Sequence, residues 1–296
     1  MNFHELTTTL KSTDLALASA FFVFFIASWV IRGVRLKVLL LSERLPTKDL
    51  IYLSFLGQFL SFLIPLRAGE VAKSVYLYTQ FKIPLAKSVV WVLIDRFLDF
   101  WTNLVLLGVL VLATQSQIPK NLSYSLFFVF TTFTLAGLLI IFKSEVGQTI
   151  IKLSKTERLI YFSKVIIDGF LILRRKPVEL LSLSFLSIAA LITDALSWLV
   201  VFKALKVDLN FLQVFLGSLL SALTFLIPAA PGYVGSAQVS TLAVFSGILA
   251  LPVNLSSAAA VLYHVLMAIA LLVSGIICLH LLKFDLNLVW KQIKRG

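Results

Sequence analysis

The chain has 296 residues, 59% of them hydrophobic and only 14% charged, with a net charge of +12. An ordinary soluble domain carries about 25% charged residues, so a water-soluble globule is excluded and an all-α, polytopic membrane protein is expected. The apolar runs lack the period-two alternation of a membrane β-barrel, and the cations lie between those runs, where membrane orientation and anionic inner-leaflet lipids account for them without a nucleic-acid partner.

In chain order, residues 15–31 form the first apolar run. It is followed by a basic cluster and lacks a small-x-small cleavage site, so it is read as a retained span rather than a signal peptide. Residues 50–88 start as a membrane helix but break at Pro65-Leu66-Arg67-Ala68-Gly69-Glu70, where a helix breaker, a cation, a flexible residue and an anion follow one another. Runs at 89–114 and 122–142 are each near or above the ~20 residues that cross a hydrocarbon core. Residues 143–177 mix cations with apolar residues at roughly helical spacing, which fits a basic amphipathic helix on the inner leaflet or a solvated connector. A further span covers 179–202. The stretch 211–250 is broken at Pro228-Ala229-Ala230-Pro231-Gly232-Tyr233-Val234-Gly235, 256–282 form the last span, and 283–296 are a basic tail. The single cysteine, Cys278, excludes an intramolecular disulfide.

Two interrupted hydrophobic segments, one in each half, are the sequence pointer to a transporter's midplane site. If every apolar piece crossed the membrane, 17 Lys and Arg residues would face one side and 8 the other. If 50–88 and 211–250 are instead hairpins that enter and leave on one side, the count becomes twenty against four, with Arg67 and Arg96 inside the membrane. Arg32, Arg35 and Lys73 are counted among the twenty cytoplasmic cations. The positive-inside rule favours this second arrangement, with the N-terminus outside and the C-terminus cytoplasmic. Repeat one (about 15–114) and repeat two (about 179–282) are then inverted copies, joined by a connector (about 115–178). Non-helical backbone at membrane depth is tolerated only where protein or a water-filled cavity surrounds it, so both breaks are expected to line one cavity.

The candidate site residues cluster at these breaks. Asp95 and Asp99 share a helix face at i,i+4, and Arg96 reaches Asp99 at i,i+3. A charge at the bilayer centre costs about 2.5–3.5 kcal/mol on insertion scales, so such residues pair and mark a pathway, or form a structural ion pair. Arg67 suits a phosphate through its planar fork. Gly69 and Glu70 begin a helix whose N-terminus faces the same anion, or Glu70 simply pairs with Arg67. Pro231, Gly232 and Gly235 permit a tight break and close backbone approach. Asp194, inside the 179–202 span, is a counter-ion or proton carrier, or a polar contact between helices. Tyr263 and His264 are weaker candidates. Trp29, Trp91 and Trp198 read as interfacial anchors. The three histidines lack ligand spacing and no catalytic motif occurs, so no metal, no cofactor and no enzymatic activity are expected.

At these residues the chain resembles the membrane region of lysylphosphatidylglycerol synthases and its stand-alone relatives, the flippase-like integral membrane family. The resemblance rests on the P-x-R-x-G-E element at Pro65–Glu70, with Lys73 where a further arginine is common, and on the Asp95-Arg96 pair with Asp99. A third element, P-G-x-x-G-x-x-E, falls at Pro231, Gly232 and Gly235, with Gln238 in place of the family glutamate. The resemblance implies a transporter of phospholipids or lipid-linked molecules in a prokaryotic cytoplasmic membrane, with Gln238 hydrogen-bonding a headgroup. The soluble transferase domain of the fused synthases is not in this sequence, so lipid aminoacylation is not implied. A membrane-embedded lipid-modifying enzyme, a glycosyltransferase accessory subunit and a small-anion carrier are the alternatives; oligomeric state is left open.

Overall fold

The computed structural model describes residues 3–40, 43–64, 68–113, 177–224 and 231–286, with isolated positions between 121 and 160. The helices are α1 (Phe3–Lys11), α2 (Leu15–Leu39), α3 (Thr47–Leu63), α4 (Ala68–Phe81), α5 (Leu85–Ala113), α6 (Pro177–Ala204), α7 (Phe211–Thr224), α8 (Ser236–Thr241, running on as a π-helical turn over Leu242–Ile248) and α9 (Val253–Leu281). No strand occurs among the described residues. The expected span 122–142 and the basic segment 143–177 lie almost entirely outside them.

Helices α2, α6 and α9 are long and apolar enough to cross a membrane. At 1.5 Å per residue, the 25 residues of α2 reach about 37 Å against a ~30 Å hydrocarbon core. Helix α5 is longer, at 29 residues, but carries Asp95, Arg96 and Asp99 within its apolar sequence. The chain is thus an all-helical, polytopic integral membrane protein. Helix α2 starts where it does because Asp14 caps it, its carboxylate accepting from the N–H groups of Ala16 and Leu17 at 2.9 and 3.1 Å. It runs past residue 31, where the apolar run ends in sequence, and carries Arg32 and Arg35 with it.

Helices α4 and α7 have 14 residues each, about 21 Å, which is short of a full crossing. Helix α3 folds back on α4, and α7 packs on α8. These are the two broken hairpins that the sequence anticipates. The bend of the first, residues 65–67, lies outside the described residues, as do 225–230 of the second.

The contacts obey an inversion. Exchanging α2 with α6, α3 with α7, α4 with α8 and α5 with α9 carries each principal contact onto another: α2–α3 onto α6–α7, α3–α9 onto α7–α5, α4–α5 onto α8–α9, and α2–α5 onto α6–α9. The first helices of the two repeats, α2 and α6, form the most extensive interface, and they run antiparallel. The N–H of Asp14 donates to the carbonyl of Ala204 at 2.9 Å at one end, and Arg35 donates to the Ser187 hydroxyl at 3.0 Å toward the other. Antiparallel leading helices are what an inverted repeat requires.

Close packing of the helices depends on small residues. A side chain at Gly275 on α9 would overlap Phe59 of α3, and one at Gly33 on α2 would run into Ile51 of α3. The buried core is continuous through both repeats, from Phe21 and Leu36 on α2 to Phe202 on α6 and Phe245 in the π turn.

Candidate functional site

Where α2 meets α4, α5 and α6, eight ionisable side chains form one buried network. Asp95 is its centre. Its Oδ1 accepts from Nε and Nη2 of Arg35 at 3.0 and 2.7 Å, and its Oδ2 accepts from Arg96 at 3.0 Å. The ammonium of Lys73 lies 3.7 Å from the same Oδ2. Asp99, one turn on, is bound by Arg35 and by Arg96 at 3.3 Å, with Arg32 at 3.7 Å. Arg96 also reaches Glu70 at 3.4 Å. Arg32 donates to Asp194 at 2.7 Å, contacts Ser28, and lies 5.0 Å over the ring of Trp29.

Four cations, Arg32, Arg35, Lys73 and Arg96, therefore face four carboxylates, Glu70, Asp95, Asp99 and Asp194. That balance lets the cluster exist inside a bundle. An unpaired charge in a low-dielectric interior is very costly, whereas paired and hydrogen-bonded charges largely offset their desolvation. Arg35 is 0% exposed and Asp95 1%.

This corrects the reading of Arg32, Arg35 and Lys73 as cytoplasmic loop cations. Arg32 and Arg35 sit on the continued helix α2 and point into the bundle, and Lys73 is 2% exposed with its stem against Gly57. Removing the three from the inner-side count leaves seventeen against four, so the asymmetry persists. The sequence does carry a signal for them: Ser28, Arg32 and Arg35 fall on one face at helical spacing, with Leu36 and Leu39 continuing the buried pattern beyond the run.

Beside the network lies a cavity of about 250 Å³, lined by both repeats. Arg32, Glu70, Arg96 and Asp99 border it on one side. Trp29, Phe100, Trp198, Tyr233 and Tyr263 supply aromatic wall, and Gln58, Ser61, Asn103, Ser197, Ser218 and Ser221 supply neutral polar groups. The described flanks of the two breaks meet here, with the ring of Phe62, near the end of α3, 6.0 Å from that of Tyr233 in the second break.

Asp95, Arg96, Asp99, Glu70 and Asp194 are thus brought together, while Arg67 lies outside the described residues. Others are placed differently from expectation. Gln238 does not line the cavity; its side-chain oxygen accepts from the N–H of Gly235 at 2.8 Å and so caps its own helix, α8. Pro231, Gly232 and Gly235 are also outside the lining, and Tyr233 between them is the residue of that turn that reaches it. Gly232 and Gly235 have φ of 69° and 81°, values that glycine adopts freely, and a side chain at Gly235 would touch nothing. Both positions shape the turn.

At the first break, Gly69 donates its N–H to Ser61 at 3.2 Å, and a Cβ there would fall on the carbonyl oxygen of Gly57. Gly69 therefore lets α4 close onto α3, and its donor is already used. The three tryptophans are buried rather than interfacial. Trp29 lies under Arg32, Trp198 stacks on Tyr263 at 3.8 Å between ring centres, and Trp91 is 3% exposed. Trp29 and Trp198 also wall the cavity. His264 packs its ring 6.1 Å from that of Phe62, with Nδ1 buried and unpaired.

The model of the lysylphosphatidylglycerol synthase TM region family matches residues 1–275. The chain belongs to that family. No curated protein and no solved structure matches it. The family match takes in both repeats and all eight members of the network. Membership in the lysylphosphatidylglycerol synthase TM region ties the chain to lipid modification or transport within a membrane. The place of Gln238 as a helix cap is one that glutamine or glutamate fills equally.

Proposed function

We propose that this protein is a lipid flippase: it moves an anionic phospholipid or a lipid-linked molecule between leaflets, passing the headgroup through the cavity while the acyl chains stay in the bilayer. The observation that carries this reading is one cavity with charged and polar groups in its wall, built by both members of an inverted repeat, between two broken hairpins and against a neutral ionic network. Inverted repeats supply alternating access around such a site. Arg67 and Arg96 take the headgroup phosphate; Glu70 and Asp99 hold Arg96 between passages, and Asp194 does the same for Arg32 and is the candidate coupling carboxylate. No chemical step on the lipid is part of the proposal. The N-terminus faces outward and the C-terminus the cytoplasm, following the lysine and arginine asymmetry.

The test is transport in proteoliposomes of an acyl-labelled phospholipid, read by how fast the label becomes accessible to a membrane-impermeant quencher. Arg96→Ala and Asp194→Asn are each expected to slow the protein-dependent rate at least tenfold. Unchanged rates in both would remove these residues from the pathway. A wild-type rate equal to protein-free vesicles, for every lipid offered, would sink the flippase reading.

A further inference from the structure

Among the side chains that line the cavity, an oxygen of Asn103, an oxygen of Glu70 and Nε of Arg96 are buried without a hydrogen-bond partner. Asn103 on α5 is 4% exposed and lines the cavity, and its side-chain oxygen is buried without a partner. Glu70 also lines it; one carboxylate oxygen is taken by Arg96, and the other has no hydrogen bond. Ser197 and Ser218 use their protons on carbonyls of their own helices, Thr193 at 3.1 Å and Phe215 at 2.8 Å, so toward the cavity they offer lone pairs. Buried acceptors are almost always satisfied in native proteins. An occupant that donates to these oxygens and accepts from Arg96 satisfies them.

Donors come as ammonium groups or as hydroxyls, and the charge balance separates them. Each bordering carboxylate already faces an arginine, and the described network sums to zero, so no net charge remains to draw a cation. The cation-attracting face of Trp29 is occupied by Arg32. What remains is neutral hydrogen-bonding groups beside apolar wall, a lining that suits an uncharged group bearing hydroxyls. At about 250 Å³ the cavity has room for a headgroup.

We infer that the cavity is a subsite for an uncharged polyhydroxyl group, a sugar or polyol, held by Asn103, Glu70, Ser197 and Ser218. In the lipid setting this deepens the flippase reading: the phosphate stays at the arginines while the hydroxylated headgroup fills the cavity. The same chemistry is shared by a free sugar, so the experiment has two arms.

In the first arm, the protein in a detergent without a sugar headgroup is titrated with methyl glucoside, myo-inositol or ethanolamine, following tryptophan fluorescence, since Trp29 and Trp198 line the cavity. Saturable quenching by the polyols and not by ethanolamine is expected, with affinity falling at least tenfold in Asn103→Leu. Ser218→Ala, which deletes one oxygen, is expected to weaken it several-fold and serves if the first variant fails to fold. No saturation by any polyol, preference for ethanolamine, or unchanged affinity in a folded variant overturns the subsite. In the second arm, proteoliposomes receive phospholipids with identical acyl chains and inositol, ethanolamine or methyl headgroups. Faster movement of the inositol lipid supports the subsite in transport. Equal movement of all three overturns the subsite and leaves the flippase reading standing. Polyol binding with no movement of any lipid sustains the subsite for a soluble sugar and sinks the flippase reading.

Discussion

Asp95→Asn perturbs the ionic network at its most connected point. The carboxylate meets Arg35 through two N–H groups at 2.7 and 3.0 Å, Arg96 at 3.0 Å and Lys73 at 3.7 Å, and both Asp95 and Arg35 are shut off from solvent. The amide keeps the shape but removes the charge, leaving four buried cations against three carboxylates. Removing one partner of a buried pair costs about 3–5 kcal/mol. At roughly 2 °C per kcal/mol for a chain of this size, the melting midpoint should fall by on the order of 10 °C. Lys73→Met removes the most distant cation and the desolvation of its ammonium, and methionine adapts to the space against Gly57. Alone it leaves four carboxylates against three cations and should also cost stability, up to about 3–5 kcal/mol. Combined with Asp95→Asn it restores three charges against three and should recover about 0.5–3 kcal/mol of the loss. The assay is unfolding of purified protein in detergent, followed by tryptophan fluorescence at one fixed scan rate. A melt of Asp95→Asn within a degree of wild type, or a double variant no better than the sum of the singles, would refute the argument that charge balance holds this cluster.

Two further predictions separate readings of the glycines and of the lysines. Gly69→Ala should lower stability by about 1–3 kcal/mol, because its Cβ meets the backbone of Gly57 and must push α3 from α4; Gly235→Ala touches nothing and should cost only about 1–2 kcal/mol, from its positive φ. The same melts compare them, and a Gly69→Ala protein as stable as wild type would contradict the close approach. For the lysines, single cysteines at Lys48, Lys73 and Lys206, with the buried Cys278 changed to serine, are probed in cells with an impermeant thiol reagent. Lys206→Cys should react from outside, Lys48→Cys only after the cytoplasmic face is opened, and Lys73→Cys from neither side; reaction of Lys73→Cys would place it back among the loop cations.

The hairpins and their inversion were legible in the sequence because they are marked locally. Proline and glycine interrupt apolar runs, and the Asp95-Arg96-Asp99 spacing is itself a statement about one helix face. The network was only half legible, since its other half comes from far along the chain. Arg35 meets Asp95 across 60 residues and Arg32 meets Asp194 across 162. By itself, Arg32-Gly33-Val34-Arg35 at the end of an apolar run looks like the basic flank of a span, and the positive-inside rule absorbs it without remainder. The helix-capping bond of Gln238 was not legible for a related reason. A motif position names the residue but not its hydrogen-bond partner, and the nearest donor, the N–H of Gly235, was three residues away in the same turn.

The scaffold is symmetric under inversion, yet the charges it holds are not. Seven of the eight network members belong to the first repeat, and the second contributes Asp194. The partner of Asp194 is Arg32, so this pair ties the leading helices of the two repeats together at their largest interface. Its carboxylate is also the more accessible end, at 34% side-chain exposure against 9% for the guanidinium. The hydrogen-bond acceptors divide differently, with Asn103 and Glu70 from the first repeat and Ser197 and Ser218 from the second. Relative movement of the repeats would strain the Arg32–Asp194 pair and the Arg35–Ser187 hydrogen bond, while the ion pairs within the first repeat move together. A group bound among the acceptors would span the same boundary, so it and the ion pair bear on one and the same motion.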